Sequence, residues 1–139
     1  MMRVLLDTNI VLDFLLDRLP FADEATAIWE ANVRGDIEGY VLAITPVNVY
    51  YIARKIKGNE FARQCVVGLL NECYICSLDA LTLQSGLDLP IKDFEDAVQV
   101  ASALNSRLDG IVTRDVGDYK DATLPVYSPT EFLSKLTAQ

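Results

Sequence analysis

The stretch Arg3–Leu12, RVLLDTNIVL, joins a short apolar strand to an apolar helix through a single aspartate, Asp7. The four residues before Asp7 have the character of a buried strand, and an apolar helical pattern begins shortly after it. A carboxylate at this junction lies at the carboxyl end of a strand, where open α/β sheets bind their ligands. We therefore expect the other polar clusters of the chain to gather around Asp7, and Asp7 to anchor an acidic metal site.

The chain has 139 residues, of which 51% are hydrophobic and 23% charged. This composition predicts one soluble globular domain over residues 1–139. No apolar run approaches the ~18 residues of a membrane span, and Asp7 comes too early for a secretory signal, so we expect a cytoplasmic protein. The net charge of −8 argues against binding polyanions through bulk charge. It does not exclude a nuclease, because carboxylates that hold divalent cations count as negative until the metal is bound.

The sequence contains no histidine and three cysteines. The lack of histidine excludes His-dependent triads and weakens any assignment of a zinc site. Cys73 and Cys76 have CxxC spacing, but the residues between them are typical of a strand, whereas a redox motif would open a helix. We expect both, together with Cys65, to be buried free cysteines.

Strand-like and helical segments alternate along the chain. After the first strand we predict helices over 10–16, 21–33, 46–56, 60–71, 79–87, 93–108 and 129–136, and strands over 40–44, 74–77, 110–113 and 126–127. The buried stripe of the helix over 93–108 is predicted to comprise Phe94, Ala97, Ala101, Leu104 and Leu108. The alternation predicts an α/β fold, a three-layer α/β/α sandwich with a central parallel sheet of four to five strands.

Three segments place carboxylates where the site of an α/β sheet is expected. Asp7 follows the first strand, Asp93 and Asp96 lie in the first turn of a helix, and Asp115, with Asp118 close behind, follows the fourth strand. Asp93 and Asp96 are only about 60° apart around a helix, so Asp96, helped by Asp93, can face a cleft beside the sheet.

Each of these acids also has a purely structural explanation. First-turn acids favour the helix dipole, and an aspartate at a strand end can cap a helix or form an Asx turn. All three segments together favour a site. Converging carboxylates repel one another, and a divalent cation removes the repulsion. Oxygen ligands without histidine or cysteine indicate Mg²⁺ or Mn²⁺, and metal-assisted phosphodiester hydrolysis follows as the hypothesis.

In the order and spacing of its acidic motifs, the chain resembles the PIN domain family of metal-dependent ribonucleases along essentially its whole length. The resemblance rests on LLDTN at 5–9, DFEDA at 93–97, and IVTRD at 111–115 followed by Asp118-Tyr119. The segment TPVNVYYI at 45–52 is similar to the family's second-strand-to-helix segment. The resemblance implies an α/β/α sandwich whose acids, clustered at the strand ends, bind Mg²⁺ or Mn²⁺.

The resemblance also implies roles for individual residues. Asp7, Asp96 and Asp115 match the family's first, third and fourth acidic positions, so we expect them to be catalytic and to ligate the metal. Asp118 is a companion or substitute for Asp115. Asn9 and Thr113, the latter on the same side of the strand as Asp115, match polar residues that support the acids.

The sequence departs from the family at Asn48, where a glutamate is usual. An amide can ligate a metal or hold a water molecule, but it brings no charge and cannot act as a base. Metal affinity is then lower, or a neighbour such as Asp93 compensates as a further metal ligand.

The resemblance implies partners as well. Many short bacterial members are VapC-like toxins of type II toxin–antitoxin pairs, which dimerise and are inhibited by a small antitoxin. We therefore expect an RNA substrate, a small antitoxin and a homodimer. Arg54, Lys55 and Lys57, followed by Arg63, form a basic cluster that is the candidate RNA-binding surface. These cations equally suit the C-terminal dipole of their helix.

The sequence thus predicts a divalent-metal-dependent endoribonuclease, with a catalytically weak PIN module that binds RNA or protein as the alternative that Asn48 suggests. Two other phosphoryl-transfer classes fit less well. A haloacid-dehalogenase-like phosphatase needs a second aspartate where Asn9 stands, and a receiver domain needs a lysine that Thr113-Arg114-Asp115 does not supply. A metal-dependent DNA nuclease stays open, because the acids do not distinguish ribose from deoxyribose.

Overall fold

The computed structural model describes residues 1–138, which form a five-stranded parallel sheet and seven α-helices. None of the described helices combines the length and the apolar character that a transmembrane segment needs. In chain order the elements are β1 (Met2–Leu6), α1 (Thr8–Leu15), α2 (Ala22–Arg34), β2 (Ile37–Leu42), α3 (Thr45–Lys57), α4 (Asn59–Glu72), β3 (Tyr74–Cys76), α5 (Ala80–Asp88), α6 (Phe94–Asn105), β4 (Gly110–Val112), a 3-10 helix (Val116–Tyr119), β5 (Val126–Tyr127) and α7 (Pro129–Thr137).

The strand order places β1 at the centre of the sheet. The order is β3-β2-β1-β4-β5, and all neighbouring strands are parallel. The chain moves outward from β1 to β3 and then returns to the other side of β1 with β4 and β5. A reversal of this kind opens a crevice at the carboxyl ends of the two strands that flank it, here β1 and β4. Asp7 and Thr113 directly follow these strands, and the backbone N–H of Asp7 donates to the carbonyl of Val112 at 3.0 Å.

Successive side chains of β1 point to opposite faces of the sheet and so enter both layers of the core. Val4 and Leu6 are buried in a cluster with residues of α1, α2, α3, α4 and α7, whereas Leu5 is buried in a second cluster with residues of α6. The helix α5 packs against α6, where a Cβ added at Gly86 would lie 2.9 Å from the side chain of Val98. The predicted three-layer α/β/α sandwich with a parallel sheet is confirmed.

Three details of the predicted elements are wrong. The second strand is Ile37–Leu42 rather than 40–44, because Ile37 is buried and pairs with Met2 at the start of β1. The helix α6 ends at Asn105 rather than 108, since Arg107 adopts a positive φ of 56° that no regular helix continues through. Phe94 and Leu104 do not join the buried stripe, because they are 47% and 38% exposed, and burial along that helix begins at Ala97.

The three cysteines are buried and unpaired, as predicted. Cys73 lies beside Asn32, whose side chain joins α2 to the sheet by accepting from the backbone N–H of Gly39 at 2.8 Å. Burial raises the pKa of the Cys73 thiol to about 12, so the thiol stays protonated at physiological pH. This environment suits a structural cysteine and not a redox centre.

Candidate active site

Asp7 lies at the centre of the crevice between β1 and β4. It stands one residue before α1, yet its side chain makes no capping hydrogen bond to that helix. Its Oδ2 accepts from the hydroxyl of Thr113 at 2.7 Å and its Oδ1 accepts from Nε2 of Gln99 at 3.1 Å. Only 7% of Asp7 is exposed. The carboxylate is thus held toward the sheet by two other elements, and capping does not explain it.

Tyr119 connects Asp7 to the acid of α6. Its hydroxyl oxygen lies 3.0 Å from Oδ1 of Asp96 and 3.3 Å from Oδ2 of Asp7, and it accepts from Nε2 of Gln99 at 3.2 Å. Burial, and then the charges of Asp7 and Asp96, raise the pKa of the phenol, so the hydroxyl keeps its proton as a donor. With only one hydrogen to give, it donates best to the nearer carboxylate, Asp96.

Asp96 occupies a half-buried position in the first turn of α6. Burial raises the pKa of its carboxyl group to about 6; the charges of Asp93, Asp7 and Asp118 act in the same direction, and the hydrogen bond from Tyr119 opposes them. In the metal-free protein a proton therefore binds to Asp96 near pH 6. A cation at the same place would stabilise the charged carboxylate instead.

Asp115 is tied to the same centre through Asn9 and Thr113. Its Oδ2 accepts from Nδ2 of Asn9 at 3.0 Å, and its backbone N–H donates to the hydroxyl of Thr113 at 3.0 Å. The same Asn9 nitrogen lies 3.5 Å from Oδ2 of Asp7. Thr113 and Asn9 thus lie between Asp7 and Asp115, and their supporting role in catalysis stays a prediction.

Asp118 and Asp93 lie on the outer side of the centre. Both line a cleft of about 570 Å³ together with Asp96. The Oδ1 of Asp93 accepts from the backbone N–H of Asp96 at 3.0 Å and so caps α6. The structural explanation for a first-turn acid therefore applies to Asp93, whereas Asp118 lies exposed in the 3-10 helix with no cap to make.

Asn48 lies near the centre without being joined to it. The hydroxyl oxygens of Thr45 and Thr8 are 3.2 Å apart, which holds the start of α3 beside the residue that follows Asp7. Asn48 is three residues further along α3 and half-buried, and its side chain makes no hydrogen bond within residues 1–138.

The predicted RNA-binding cluster lies at a distance from the acidic residues of the site. Arg54, Lys55 and Lys57 lie in the last turn of α3. The helix starts beside the site at Thr45, so its far end is about 18 Å away along the axis. The Arg54 guanidinium lies 5.1 Å from the ring centre of Tyr51, and the Lys57 ammonium 4.9 Å from that of Phe61.

Gln99 and Tyr119 are contacts of the acids that the sequence motifs did not predict. Gln99 is 1% exposed and Tyr119 is 2% exposed. The signal for Gln99 is a polar side chain within the apolar run AVQVASA of α6, three residues after Asp96. A fully buried polar side chain needs a partner. The sequence does not show that the partners of Gln99 are Asp7 and Tyr119 rather than the nearby Asp96.

A second feature that the motifs did not predict is a pair of salt bridges to a buried aspartate, beside Asp115. The fully buried Asp13 accepts from Nε of Arg114 at 2.7 Å and from Nε of Arg18 at 2.9 Å. The Arg114 guanidinium also lies 3.9 Å from the ring centre of Phe21. Arg114 stands directly before Asp115, so these salt bridges fix the backbone that presents this acid. The sequence feature that could have predicted these ion pairs is the single charged residue, Asp13, within the apolar helical segment IVLDFL at 10–15.

The oxygen ligands around Asp7 suit a hard cation that keeps several of its waters better than a cation that is coordinated by protein groups alone. Within residues 1–138, no three carboxylate or cysteine side chains are grouped closely enough to bind a metal ion on their own. Mg²⁺ does not need such a group, since it keeps several waters and uses one or two carboxylates. The polar groups around Asp7 offer oxygen ligands, and Oδ1 of Asn9 and Oε1 of Gln99 are buried without a hydrogen-bond partner in the described chain.

The comparison with protein families gives one match along most of the chain. A family profile described as PIN domain matches residues 3–117. This range includes Asp7, Asp96 and Asp115 and ends just before Asp118. None of the curated proteins matches the sequence.

The fold is similar to that of several solved toxin–antitoxin structures. VapBC2 from Rickettsia felis, solved with a DNA fragment from its promoter, superposes with a TM-score of 0.71 at 16% identity, covering 91% of this chain and 98% of that chain. A toxin–antitoxin complex from Klebsiella pneumoniae gives 0.68 at 24% identity, covering 91% and 97%. VapC20 from Mycobacterium tuberculosis, described as a sarcin–ricin loop cleaving toxin, gives 0.62 at 11% identity, covering 78% and 86%. At these identities the likeness is one of fold.

Proposed function

Because this chain belongs to the PIN domain family, we propose that it is a divalent-metal-dependent endoribonuclease that hydrolyses RNA phosphodiester bonds. The observation that carries the proposal is the polar network at the carboxyl ends of β1 and β4. There the buried carboxylate of Asp7 is linked to Asp96 through Tyr119 and to Asp115 through Asn9. Three acids from three separate elements share one network, which helix capping does not require.

In this proposal Asp7, Asp96 and Asp115 hold Mg²⁺ or Mn²⁺, one or two of them directly and the rest through its waters, and Asp118 and Asp93 are further ligands or hold its waters. When bound, such an ion lowers the pKa of a water molecule and stabilises charge on a phosphoryl oxygen. Gln99, Thr113 and Asn9 orient the acids. The hydrogen bonds of Gln99 and Thr113 to Asp7, and of Asn9 to Asp115, fix both carboxylates before the substrate binds.

We also propose that the protein is the toxin of a toxin–antitoxin pair, that it dimerises, and that a small antitoxin inhibits it. The similarity of fold to VapBC complexes supports this reading, and the description of VapC20 as a toxin that cleaves the sarcin–ricin loop supports RNA as the substrate. Expression of the protein alone is then expected to arrest growth, and the Asp7→Asn variant is expected not to.

The direct test is cleavage of single-stranded RNA by the purified protein. We expect cleavage in Mg²⁺ or Mn²⁺, loss of cleavage in EDTA, and at least a hundredfold loss in Asp7→Asn, since one essential charged ligand is removed. The Asn side chain is accommodated, because Gln99 can turn its unpartnered Oε1 toward the new amide. Asp88→Asn, at the exposed end of α5, is the matched control and is expected to cleave like the wild type.

The proposal fails if the wild type leaves varied RNAs intact and Asp7→Asn changes neither Mn²⁺ binding nor growth. Single-stranded DNA in the same assay separates a ribonuclease from a deoxyribonuclease. The second candidate is a catalytically weak module that binds RNA or protein. It is favoured by the neutral side chain of Asn48, which makes no hydrogen bond within residues 1–138. The substitution Asn48→Glu separates this candidate from the first.

A further inference from the structure

We infer that Lys92 and Lys120 bind the phosphates of the RNA strand that enters the acidic cleft, an assignment that rests on the proposed function and extends it to substrate binding. The two lysines come from different parts of the chain. Lys92 lies just before α6, and Lys120 directly follows the 3-10 helix. Both line the cleft of about 570 Å³ that also contains Asp96 and Asp118.

The charges of the cleft explain why cations are needed there. Its lining includes Asp93, Asp96, Asp118 and Asp121, and the only cationic side chains in the described lining are the two lysines. The four aspartates of the lining, together with Asp7 and Asp115, which are proposed to hold the same ion, carry six negative charges. One divalent ion and the two lysines reduce this to two, whereas the ion alone would leave four and repel a polyanion more strongly.

The two lysines are free to bind a ligand. Among residues 1–138, every salt bridge is made by an arginine, so neither Lys92 nor Lys120 is paired with the aspartates around it. Neither stacks on an aromatic ring in the described chain, in contrast to Lys57. A lysine is a mobile point charge on a long stem, which suits contact with phosphates at different positions along a strand.

The competing surface is the basic cluster of α3. It lies about 14–18 Å from the site along the helix axis, and two of its three cations, Arg54 and Lys57, lie over the rings of Tyr51 and Phe61. A phosphate bound there is therefore not the phosphate at the acids. Lys92 and Lys120, by contrast, share a cleft with Asp96 and are placed for the phosphates next to the cleaved bond.

The test measures RNA binding separately from cleavage. A fluorescent single-stranded RNA is titrated with the full chain in Ca²⁺, another oxygen-binding divalent ion, in wild type and in Lys92→Gln/Lys120→Gln. We expect the double variant to bind about tenfold more weakly, as for the loss of two exposed ion pairs. The dependence of log affinity on log salt concentration is expected to fall by about 0.7 per lysine removed.

Binding of Mn²⁺ distinguishes substrate contact from a structural role. Removing two positive charges beside the acids is expected to leave Mn²⁺ affinity unchanged or to tighten it, while RNA affinity falls. A variant that merely folds poorly would lose both. The charge-matched comparison is Lys55→Gln/Lys57→Gln on α3, which is expected to change RNA affinity less than about twofold.

Four outcomes separate this inference from the proposed function. If RNA affinity and salt dependence are unchanged in the Lys92/Lys120 variant while the wild type cleaves RNA, the inference alone is wrong. An equal loss in the Lys55/Lys57 variant also overturns it. If the lysine-dependent binding is found but the wild type never cleaves, the catalytic proposal alone fails. A wild type that binds no RNA overturns both.

Discussion

The hydroxyl of Tyr119 lies between the carboxylates of Asp7 and Asp96, 3.3 Å from Oδ2 of the first and 3.0 Å from Oδ1 of the second. It joins the acid that follows β1 to the acid of α6, across the crevice where the strand order reverses. Two buried or half-buried carboxylates at this distance from one donor repel each other. Tyr119 therefore opposes that repulsion when no cation is bound, and it fixes the separation of the two acids.

Removing this hydroxyl tests its role. We expect Tyr119→Phe to lower the free energy of unfolding of the metal-free protein by about 1–2 kcal/mol, because a buried hydrogen bond to a charged group is lost while the ring still packs. Urea denaturation in EDTA measures this. The control is Tyr74→Phe, whose exposed hydroxyl makes no hydrogen bond within residues 1–138 and whose removal is expected to cost less than about 0.5 kcal/mol. Equal effects of the two substitutions would contradict a bridging role for Tyr119.

The raised pKa of Asp96 gives a pH dependence with a definite sign. Burial raises this pKa from 3.8 in the unfolded chain to about 6 in the folded protein. Between these values the folded state binds more protons than the unfolded state, so stability falls as the pH rises. We expect metal-free wild type to lose stability relative to Asp96→Asn from about pH 4 to about pH 6 and to hold a constant difference above it. Urea denaturation of both proteins in EDTA at several pH values measures the difference.

Added Mn²⁺ supplies the control for that experiment. The ion favours the charged carboxylate, so at pH 7.5 it is expected to stabilise the wild type and to have much less effect on Asp96→Asn. A stability difference that does not change with pH would show that Asp96 has an ordinary pKa. A pH-dependent difference without a response to Mn²⁺ would remove Asp96 from the metal site.

The layers of the fold and the placement of Asp7 follow from local features of the sequence. Helical and strand patterns are local, and the apolar residues of β1 followed directly by Asp7 suffice to place an acid at a strand end. Thr113 and Asn9 were assigned through a resemblance that covers short, ordered motifs. The boundaries of β2 and α6 were not predictable in the same way, because they depend on pairing with Met2 and on the backbone of Arg107.

The contacts that orient the acids depend on three-dimensional proximity. Gln99 and Tyr119 are 92 and 112 residues away from Asp7 along the chain, and no local pattern relates positions so far apart. Asp93 and Asp96 are both aspartates at the start of α6, and they differ in their contacts. Asp93 caps the helix, whereas Asp96 accepts a hydrogen bond from Tyr119. The resemblance singled out Asp96, whereas the local pattern left helix capping open for both.

The ion pairs of the buried Asp13 are expected to contribute to stability. Asp13→Asn removes the carboxylate that accepts from Arg114 and Arg18, but these arginines are 26% and 38% exposed and keep access to water. We therefore expect a loss of about 1.5–3 kcal/mol, as for hydrogen bonds to a charged group. Thermal or urea denaturation measures the loss. The control is Asp36→Asn, which removes the exposed ion pair of Asp36 with Arg34 and is expected to cost at most about 1 kcal/mol. A loss as small as that of the control would show that the two arginines find other partners.

The substitution Asn48→Glu tests whether the site lacks one charge. Asn48 is in the fourth position of α3, whose first residue Thr45 contacts Thr8 beside Asp7, so a carboxylate there faces the favourable end of the helix dipole. We expect the variant to bind Mn²⁺ about tenfold more tightly, as for one added charged ligand, and to cleave RNA faster only at limiting metal. A large gain in cleavage at saturating metal would instead favour the catalytically weak module. Isothermal titration and cleavage assays measure the two effects. Asn59→Glu, the same substitution at the exposed start of α4, is expected to change neither. If Mn²⁺ affinity stays the same and cleavage falls, Asn48 is a working part of the wild-type site rather than a missing acid.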